Sequence, residues 1–258
     1  MNIEILLSCM YENDCSIIDI SNICTNAIIV NQCDENSSEL ISKLDKEIFW
    51  INSTERGLSK SRNMAIRNSK SDVCLIADND EVFYSSIEEI ILNAYKNLPD
   101  ADVIVFRLDN KMTKLKNKIY KLNRLEMLRV CSWQITFKRK SILDKDILFD
   151  VKLGAGTGNG AGEENKFLFD CYDSGLKIYH YPVNIAHMRD RKSTWFSGFD
   201  EEFFYNHGMV TRYILGFWMS VLYAAYYLIF KYSLYRKDIS IIRASRCLLK
   251  GLIENKLK

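Results

Sequence analysis

The stretch that decides the fold, from Gly57 to Glu81, reads GLSKSRNMAIRNSKSDVCLIADNDE. Its first part predicts a helix after Gly57, because apolar residues recur among basic and polar ones. The helix leads into a short apolar strand, Val73–Ala77, which is followed directly by Asp78-Asn79-Asp80. This order predicts an α/β unit that delivers two carboxylates to the carboxyl end of a strand, where open parallel sheets bind their ligands.

The acidic turn after this strand has the chemistry of a cation site. Asp78 and Asp80 lie one residue apart, so both carboxylates can point into one crevice. Oxygen ligands of this kind suit Mg²⁺ or Mn²⁺, which also take phosphate oxygens, and a diphosphate is therefore the expected substrate. Asp and Asn are also ordinary turn residues after a strand, so the triplet alone leaves a purely structural turn open.

The order of the motifs favours the cation site over a purely structural turn. GLSKSRNMAI, followed by a buried strand and Asp-x-Asp, resembles the family 2 glycosyltransferases, which transfer a sugar from a nucleotide diphosphate. The resemblance extends from about Ile3 to about Met188. It implies an inverting, metal-dependent enzyme with the A-type, Rossmann-like α/β fold, in which helices flank a mixed, mostly parallel sheet. The expected catalytic domain covers residues 1–190, with a nucleotide-binding half at 1–80 and an acceptor half at 81–190.

Composition fits this class of protein. With 258 residues, of which 48% are hydrophobic, the chain has room for one large α/β domain and an appendage. A net charge of +2 is too small to indicate a nucleic-acid partner. The eight cysteines are scattered without a C-x-x-C pair, which favours small buried side chains in a reducing compartment over zinc ligands or disulfides.

Asp34 is the candidate for recognition of the base. It follows the predicted second strand, Ala27–Val30, and in similar proteins an Asp at this place hydrogen-bonds the base, commonly uracil. The resemblance therefore implies a UDP-linked donor. An Asx turn that caps a helix beginning near Ser37 is the alternative. That helix is predicted to end at 43–46, before a third strand at Ile48–Ile51.

Arg62 and Asn63 lie in the first turns of the predicted helix after Gly57. A guanidinium at this place is suited to clamp a phosphate or to hold the Asp-x-Asp turn. The family motif has its Arg-Asn pair in the same position. The alternative is a solvated basic face shared with Lys60 and Arg67.

A glycine-rich loop precedes a second acidic pair, Glu163-Glu164, at the start of a predicted helix. A dinucleotide-binding loop is excluded, because the helix turn that should hold the pyrophosphate already carries two carboxylates. In the family, the second acid of such a pair is generally the base that takes a proton from the acceptor hydroxyl. The resemblance implies this role for Glu164, with Glu163 beside it. Acids that merely decorate a helix N-terminus are the alternative.

His187 lies beyond a predicted strand at Lys177–His180. A His near this point in related transferases can bind the metal or the diphosphate. A loop histidine with an ordinary structural role is the alternative.

The C-terminal segment, residues 191–258, is predicted to be a helical extension. Tyr213–Phe230 has no charged residue over 18 positions, near the lower length for crossing a bilayer, and its Tyr and Trp side chains suit the membrane interface. From Lys231 to Lys258 there are eight Lys or Arg and two acids. The apolar run and the basic tail are together expected to hold the protein on a membrane surface. A buried core helix is the alternative for the apolar run.

The C-terminal segment and the resemblance to the family together imply an enzyme on the cytoplasmic side of the membrane, peripheral or crossing it once, that acts on a lipid-linked surface polysaccharide. A sugar nucleotidyltransferase is one alternative, but it needs a basic, glycine-rich loop after the first strand, which Ser8–Asp14 does not supply. A non-catalytic, membrane-associated subunit that binds sugar nucleotides is the other. The two intact acidic pairs argue against it.

Overall fold

The computed structural model describes residues 1–111, 113–189 and 198–257. The chain folds as two compact units, Met1–Asp150 with Glu163–Arg191, and Val151–Gly162 with Lys192–Lys258. The glycine-rich loop therefore belongs to the second unit, whereas Glu163 and Glu164 begin a helix of the first. The predicted domain boundary between positions 190 and 191 and the last residue of the basic tail lie outside the described residues.

The described residues form ten strands and ten α-helices. The strands are β1 Ile3–Met10, β2 Asn26–Gln32, β3 Ser37–Lys43, β4 Lys46–Ser53, β5 Val73–Asp78, β6 Glu81–Phe83, β7 Val103–Leu108, β8 Tyr120–Lys121, β9 Ile135–Lys138 and β10 Ile178–Met188. The helices are α1 Ile17–Ile20, α2 Leu58–Asn68, α3 Ile87–Asn97, α4 Arg124–Met127, α5 Arg139–Leu143, α6 Glu163–Asp173, α7 Glu201–Leu215, α8 Phe217–Phe230, α9 Tyr232–Tyr235 and α10 Ile241–Glu254.

One mixed sheet organises the first unit, with the strand order β3-β4-β2-β1-β5-β9-β7-β10-β6 and β8 paired to β10. Strands β4, β2, β1 and β5 are parallel neighbours, and β7 is parallel to β10. The other pairings are antiparallel. The predicted α/β architecture with a mixed sheet is confirmed. Its mostly parallel character holds in the nucleotide-binding half and not in the acceptor half, because β9 and β6 run against their neighbours.

Consecutive buried residues explain the parallel half. Ile5, Leu6 and Leu7 of β1, and Leu75 and Ile76 of β5, have no exposed surface. A strand with both faces buried is typical of a parallel sheet that is covered on both sides. The carboxyl ends of these strands meet at one edge, where Ser8 of β1 pairs in register with Asp78 of β5.

The helix predicted from Ser37 to Lys46 is wrong, because this segment forms β3 and the turn into β4. The third strand predicted at Ile48–Ile51 is confirmed and lies within β4. Leu44 and Asp45 make the turn, with φ values of +48° and +59°. Two such residues are typical of the two-residue loops that join antiparallel strands. The open edge of β4 offers backbone hydrogen bonds along the whole of β3. This pairing overrides the weak local preference of the segment for a helix. No helix follows Asp34, so its predicted role as a helix cap is also wrong.

In the second unit, the apolar run Tyr213–Phe230 is divided between two helices. Gly216, with φ of +74°, separates α7 from α8. This left-handed conformation suits glycine and ends α7 there. In the parts of the chain that the structure describes, no helix is both long enough and apolar enough to cross a bilayer.

Helices α7 and α10 pack so closely that their backbones are in contact at two glycines. A Cβ on Gly208 of α7 would collide with the carbonyl oxygen of Leu248, and a Cβ on Gly251 of α10 would collide with that of Tyr205. Neither glycine has a positive φ, so both are needed for space and not for backbone freedom. The close approach buries Leu248 and Leu252 against Phe204.

We expect Gly251→Ala to destabilise the second unit. Alanine normally favours a helix by about 0.5–1 kcal/mol over glycine, but overpacking against a carbonyl costs about 1–3 kcal/mol or more. The variant should therefore unfold at a lower urea concentration. Gly160→Ala is the matched control, because nothing lies within 4 Å of its Cβ position. A Gly251→Ala protein as stable as wild type contradicts the packing account.

Candidate functional site

The acidic turn after β5 is fixed by side chains from several elements. The Asp78 carboxylate accepts hydrogen bonds from Arg62 Nη2 at 2.9 Å and from Ser132 Oγ at 3.0 Å. The backbone N–H of Asp78 donates to Glu81 Oε1 at 3.0 Å. Since each oxygen of Asp78 already accepts a hydrogen bond, this residue supports the turn.

Arg62 joins the two acidic pairs that the sequence singled out. Its side chain is fully buried, with Nη2 bonded to Asp78 and Nη1 donating to Glu163 Oε1 at 3.0 Å. Burial alone would lower the pKa of Arg62, but the charges of Asp78 and Glu163 outweigh this effect and hold the pKa above its ordinary value. Arg62 is therefore a permanent buried cation. The alternative of a solvated basic face does not apply to it.

Asn63, the neighbour of Arg62, holds the other side of the site. Its side-chain amide donates to the Phe149 carbonyl at 2.8 Å and accepts from the Phe149 N–H at 2.8 Å. The Phe149 ring stacks on Phe167 of α6 with centroids 4.4 Å apart, and the Arg62 guanidinium lies 5.3 Å from the Phe149 centroid. The Arg-Asn pair thus ties α2 to both the acidic turn and α6.

Glu163 and Glu164 open α6 in different environments. Glu163 is buried and bonded to Arg62, and no hydrogen-bond partner reaches its Oε2 among the described residues. Burial, followed by the negative charge of Glu163, raises the pKa of Glu164 well above its ordinary value. A carboxylate with a raised pKa is a stronger base than a free one, which is what proton abstraction near neutral pH requires.

Glu81 is a third acid at the turn and was not predicted from the sequence. It is fully buried, and no partner reaches its Oε2 in the described structure. Burial and the charge of Asp78 raise the pKa of Glu81 well above its ordinary value. The charged form of Glu81 is therefore less favourable here than in water.

Asp80 and Asn79 complete the turn and are held by Arg189, which directly follows β10. The Asp80 carbonyl accepts from the Arg189 N–H at 2.8 Å, and the Arg189 guanidinium donates to the Asn79 carbonyl. The Asn79 amide donates to Glu12 Oε1 at 3.1 Å. Contacts on both sides give the turn a defined geometry before any ligand binds.

His187 lies on β10, which continues beyond the predicted strand to Met188. It is exposed and pairs in register with Val82 of β6. Within the described residues, no three His, Cys, Asp or Glu side chains are grouped so as to hold a metal ion. The metal role of His187 stays a prediction.

Asp34 lies at the rim of a groove of about 420 Å³ beside the carboxyl ends of β1, β2 and β4. Its Oδ1 accepts from Arg56 at 2.6 Å and from the Tyr11 hydroxyl at 3.3 Å, and its side chain is 82% exposed. Deeper in the groove, the buried Asn31 donates to Asn52 Oδ1 at 2.9 Å, and so does Trp50 Nε1 at 2.9 Å. These bonds hold the two amides in place, and the lining of the groove also carries several carboxylates.

Three residues of the site were missed in the sequence. Glu81 directly follows the acidic triplet, and Asn31 directly follows the predicted second strand, so their positions at strand ends were available signals. Ser132 had no such signal, because it lies in a short 3₁₀ helix, Ser132–Gln134, where the sequence predicted no site residue.

The comparisons with known proteins place the chain in a family. Residues 18–152, about half of the chain, match the sequence model of glycosyl transferase family 2. The chain therefore belongs to this family and is a glycosyltransferase, which confirms the resemblance seen in the motifs. No curated protein matches it in sequence.

Solved structures share its fold. The structure of S. aureus TarS 1–349 in complex with UDP-GlcNAc superposes with a TM-score of 0.62 at 14% identity, over 92% of this chain and 74% of that one. The mannosyltransferase PcManGT from Pyrobaculum calidifontis, in complex with GDP-Man and Mn²⁺, superposes with a TM-score of 0.55 at 11% identity, over 98% of this chain and 86% of that one. The TM-scores show a common fold, and at identities this low the similarity shows the fold alone.

Proposed function

We propose that the protein is an inverting glycosyltransferase that moves a sugar from a nucleotide-diphosphate sugar to an acceptor hydroxyl. One observation carries the proposal. The buried guanidinium of Arg62 bonds both Asp78, in the turn suited to a diphosphate, and Glu163, the neighbour of the candidate base Glu164. A single cation thus couples the donor-holding turn to the helix that carries the base.

The proposed donor is a UDP-linked sugar. TarS and PcManGT, which share the fold, are known in complex with UDP-GlcNAc and GDP-Man, respectively. In this chain the groove bordered by Asp34 has room for a base, and its carboxylates can accept a hydrogen bond from the imide N–H of uracil. We assign Asp34 to the rim of the base site and not to its floor.

The donor set at the turn fits Mg²⁺ or Mn²⁺. A hard cation of this kind is held by one or two carboxylates together with substrate phosphate oxygens and water. Asp80 is the proposed ligand, with Asp78 supporting the turn through Arg62 and Ser132. His187 is kept as a further candidate ligand. When bound, the cation neutralises charge that develops on the departing diphosphate.

The protein's own groups supply the remaining steps. The acceptor hydroxyl attacks the anomeric carbon as the bond from that carbon to the diphosphate oxygen breaks. Glu164 takes the hydroxyl proton, and the nucleoside diphosphate leaves with the bonding electrons. Attack opposite the leaving group inverts the anomeric configuration. Arg62 holds Glu163 and the turn in place throughout.

The proposed acceptor is a lipid-linked surface polysaccharide at the cytoplasmic side of the membrane. The support is the C-terminal unit, whose apolar and basic residues follow the catalytic unit in the chain. An acceptor anchored in a bilayer favours an enzyme that is held at the same surface.

Asp80→Asn tests the donor site. We expect the variant to lose Mn²⁺-dependent binding of the donor and nearly all turnover, because an amide is a poor ligand for a hard cation. The measurement is thermal stabilisation by a panel of UDP- and GDP-linked sugars, with and without Mn²⁺. Asp109→Asn is the control, since Asp109 lies on another loop and accepts from Asn184. A variant that still turns over normally in EDTA overturns the metal proposal.

A further inference from the structure

Helix α8 presents an apolar face to solvent. Ser220 and Ala224 are its buried residues, whereas Trp218, Leu222 and Ile229 are 78%, 65% and 64% exposed. These three positions recur at intervals of four and seven, so they form one stripe along the helix. The helix carries no charged residue. Large apolar side chains exposed along one side of a helix are typical of an interaction surface.

Helix α10, which packs against α7 and α8, adds positive charge. Ala244, Leu248 and Leu252 face the core, while Arg243 and Arg246 are exposed on the other side. Ile242, Leu249 and Ile253 are exposed beside these arginines. A helix whose solvent side mixes large apolar residues with arginines is typical of elements that lie in a membrane interface.

We propose that the exposed Trp218–Leu222–Ile229 stripe of α8 and the exposed Arg243 and Arg246 of α10 bind the anionic surface of a lipid bilayer. Apolar side chains gain by leaving water for the boundary of the acyl chains, and the arginines gain from negative headgroups while their stems cover apolar surface. A second copy of the chain is the less suitable occupant, because it would bring the same positive charges together. The inference does not depend on the transfer chemistry, since lipid binding needs neither donor nor acceptor.

The test is sedimentation of the full chain with two kinds of vesicle, phosphatidylcholine alone and phosphatidylcholine with an equal part of phosphatidylglycerol. Wild type should bind the anionic vesicles and bind the neutral ones at least about tenfold less. Both Trp218→Ser/Leu222→Ser and Arg243→Glu/Arg246→Glu should lower binding to the anionic vesicles at least about tenfold, because the apolar and the charged contributions are both needed.

The matched controls are Leu125→Ser and Lys140→Glu, which change an exposed leucine and an exposed lysine of the first unit. Both should bind as wild type does, and circular dichroism should show that all variants are folded. Wild type that stays in the supernatant with both vesicles overturns the proposal. So does a wild-type dimer that Trp218→Ser/Leu222→Ser converts to a monomer, because the stripe would then be a contact between copies.

Discussion

Glu164→Gln is expected to lower turnover by roughly 10²–10⁴, the usual contribution of a general base. The change removes the proton acceptor and keeps the size of the side chain, so donor affinity should change little. Steady-state kinetics with saturating donor measure the loss. Glu163→Gln is the neighbouring comparison. A larger loss in Glu163→Gln than in Glu164→Gln would assign the base to Glu163.

The same variant should be more stable than wild type at neutral and alkaline pH. Burial and Glu163 raise the pKa of Glu164 in the folded state, so its charged form is disfavoured there. The stability that the protonated acid contributes is fully present below the unfolded pKa and is lost as pH rises through the folded pKa. Glutamine avoids this loss. Urea denaturation at several pH values should show an advantage for the variant that disappears in acid.

Activity should follow the opposite trend with pH. The base must be ionised, so turnover should rise with pH through the raised pKa of Glu164, above the range near 4.3 of a free glutamate. Glu163→Gln removes the neighbouring charge, so the rise in turnover should occur at lower pH in this variant. If the turnover of wild type rises with a midpoint at the pKa of a free glutamate, the result contradicts the environment described for Glu164.

Arg62→Met is expected to cost about 3–5 kcal/mol of unfolding free energy, because it leaves the largely buried carboxylates of Asp78 and Glu163 without their cation. Arg67→Met, an exposed arginine on the same helix, is the matched control and should cost little. Adding Glu163→Gln to Arg62→Met should recover part of the loss, because it removes one orphaned charge. Urea denaturation measures all three, and equal stability of Arg62→Met and Arg67→Met would contradict the bridge.

Arg62→Lys distinguishes charge from geometry. A lysine keeps the positive charge, but its single ammonium group cannot reproduce the planar fork that bonds Asp78 and Glu163 in two directions. The variant should fold better than Arg62→Met and still bind the donor more weakly than wild type. Donor binding equal to wild type would mean that charge alone organises the turn.

The elements that local sequence determines were predicted well. Helix α2 and strand β5 follow from the spacing of apolar residues between Gly57 and Asp78, and the acids at the end of β5 are visible at once. Strand β4 was predicted at Ile48–Ile51, but β3 was not, because an edge strand with exposed Ser38 and Leu40 lacks the apolar run of a buried strand. Its structure depends on the hydrogen bonds that β4 offers.

Contacts between distant residues account for what the sequence could not give. Arg62 meets Glu163 across 101 positions, and no local pattern relates the two. The sequence indicated that Arg62 could hold the acidic turn, but it gave no sign that the same guanidinium reaches the second acidic pair. Gly208 and Gly251 are likewise unremarkable until α7 and α10 are seen in contact.

The most direct test of the account is the stereochemistry of donor hydrolysis, because water can take the place of the acceptor hydroxyl. Proton NMR should be recorded immediately after the protein is mixed with an α-linked UDP-sugar and Mn²⁺. The first free sugar formed should be the β-anomer, and Glu164→Gln should release it far more slowly. An initial α-anomer, or equal release by wild type and Glu164→Gln, would contradict inverting transfer with Glu164 as the base.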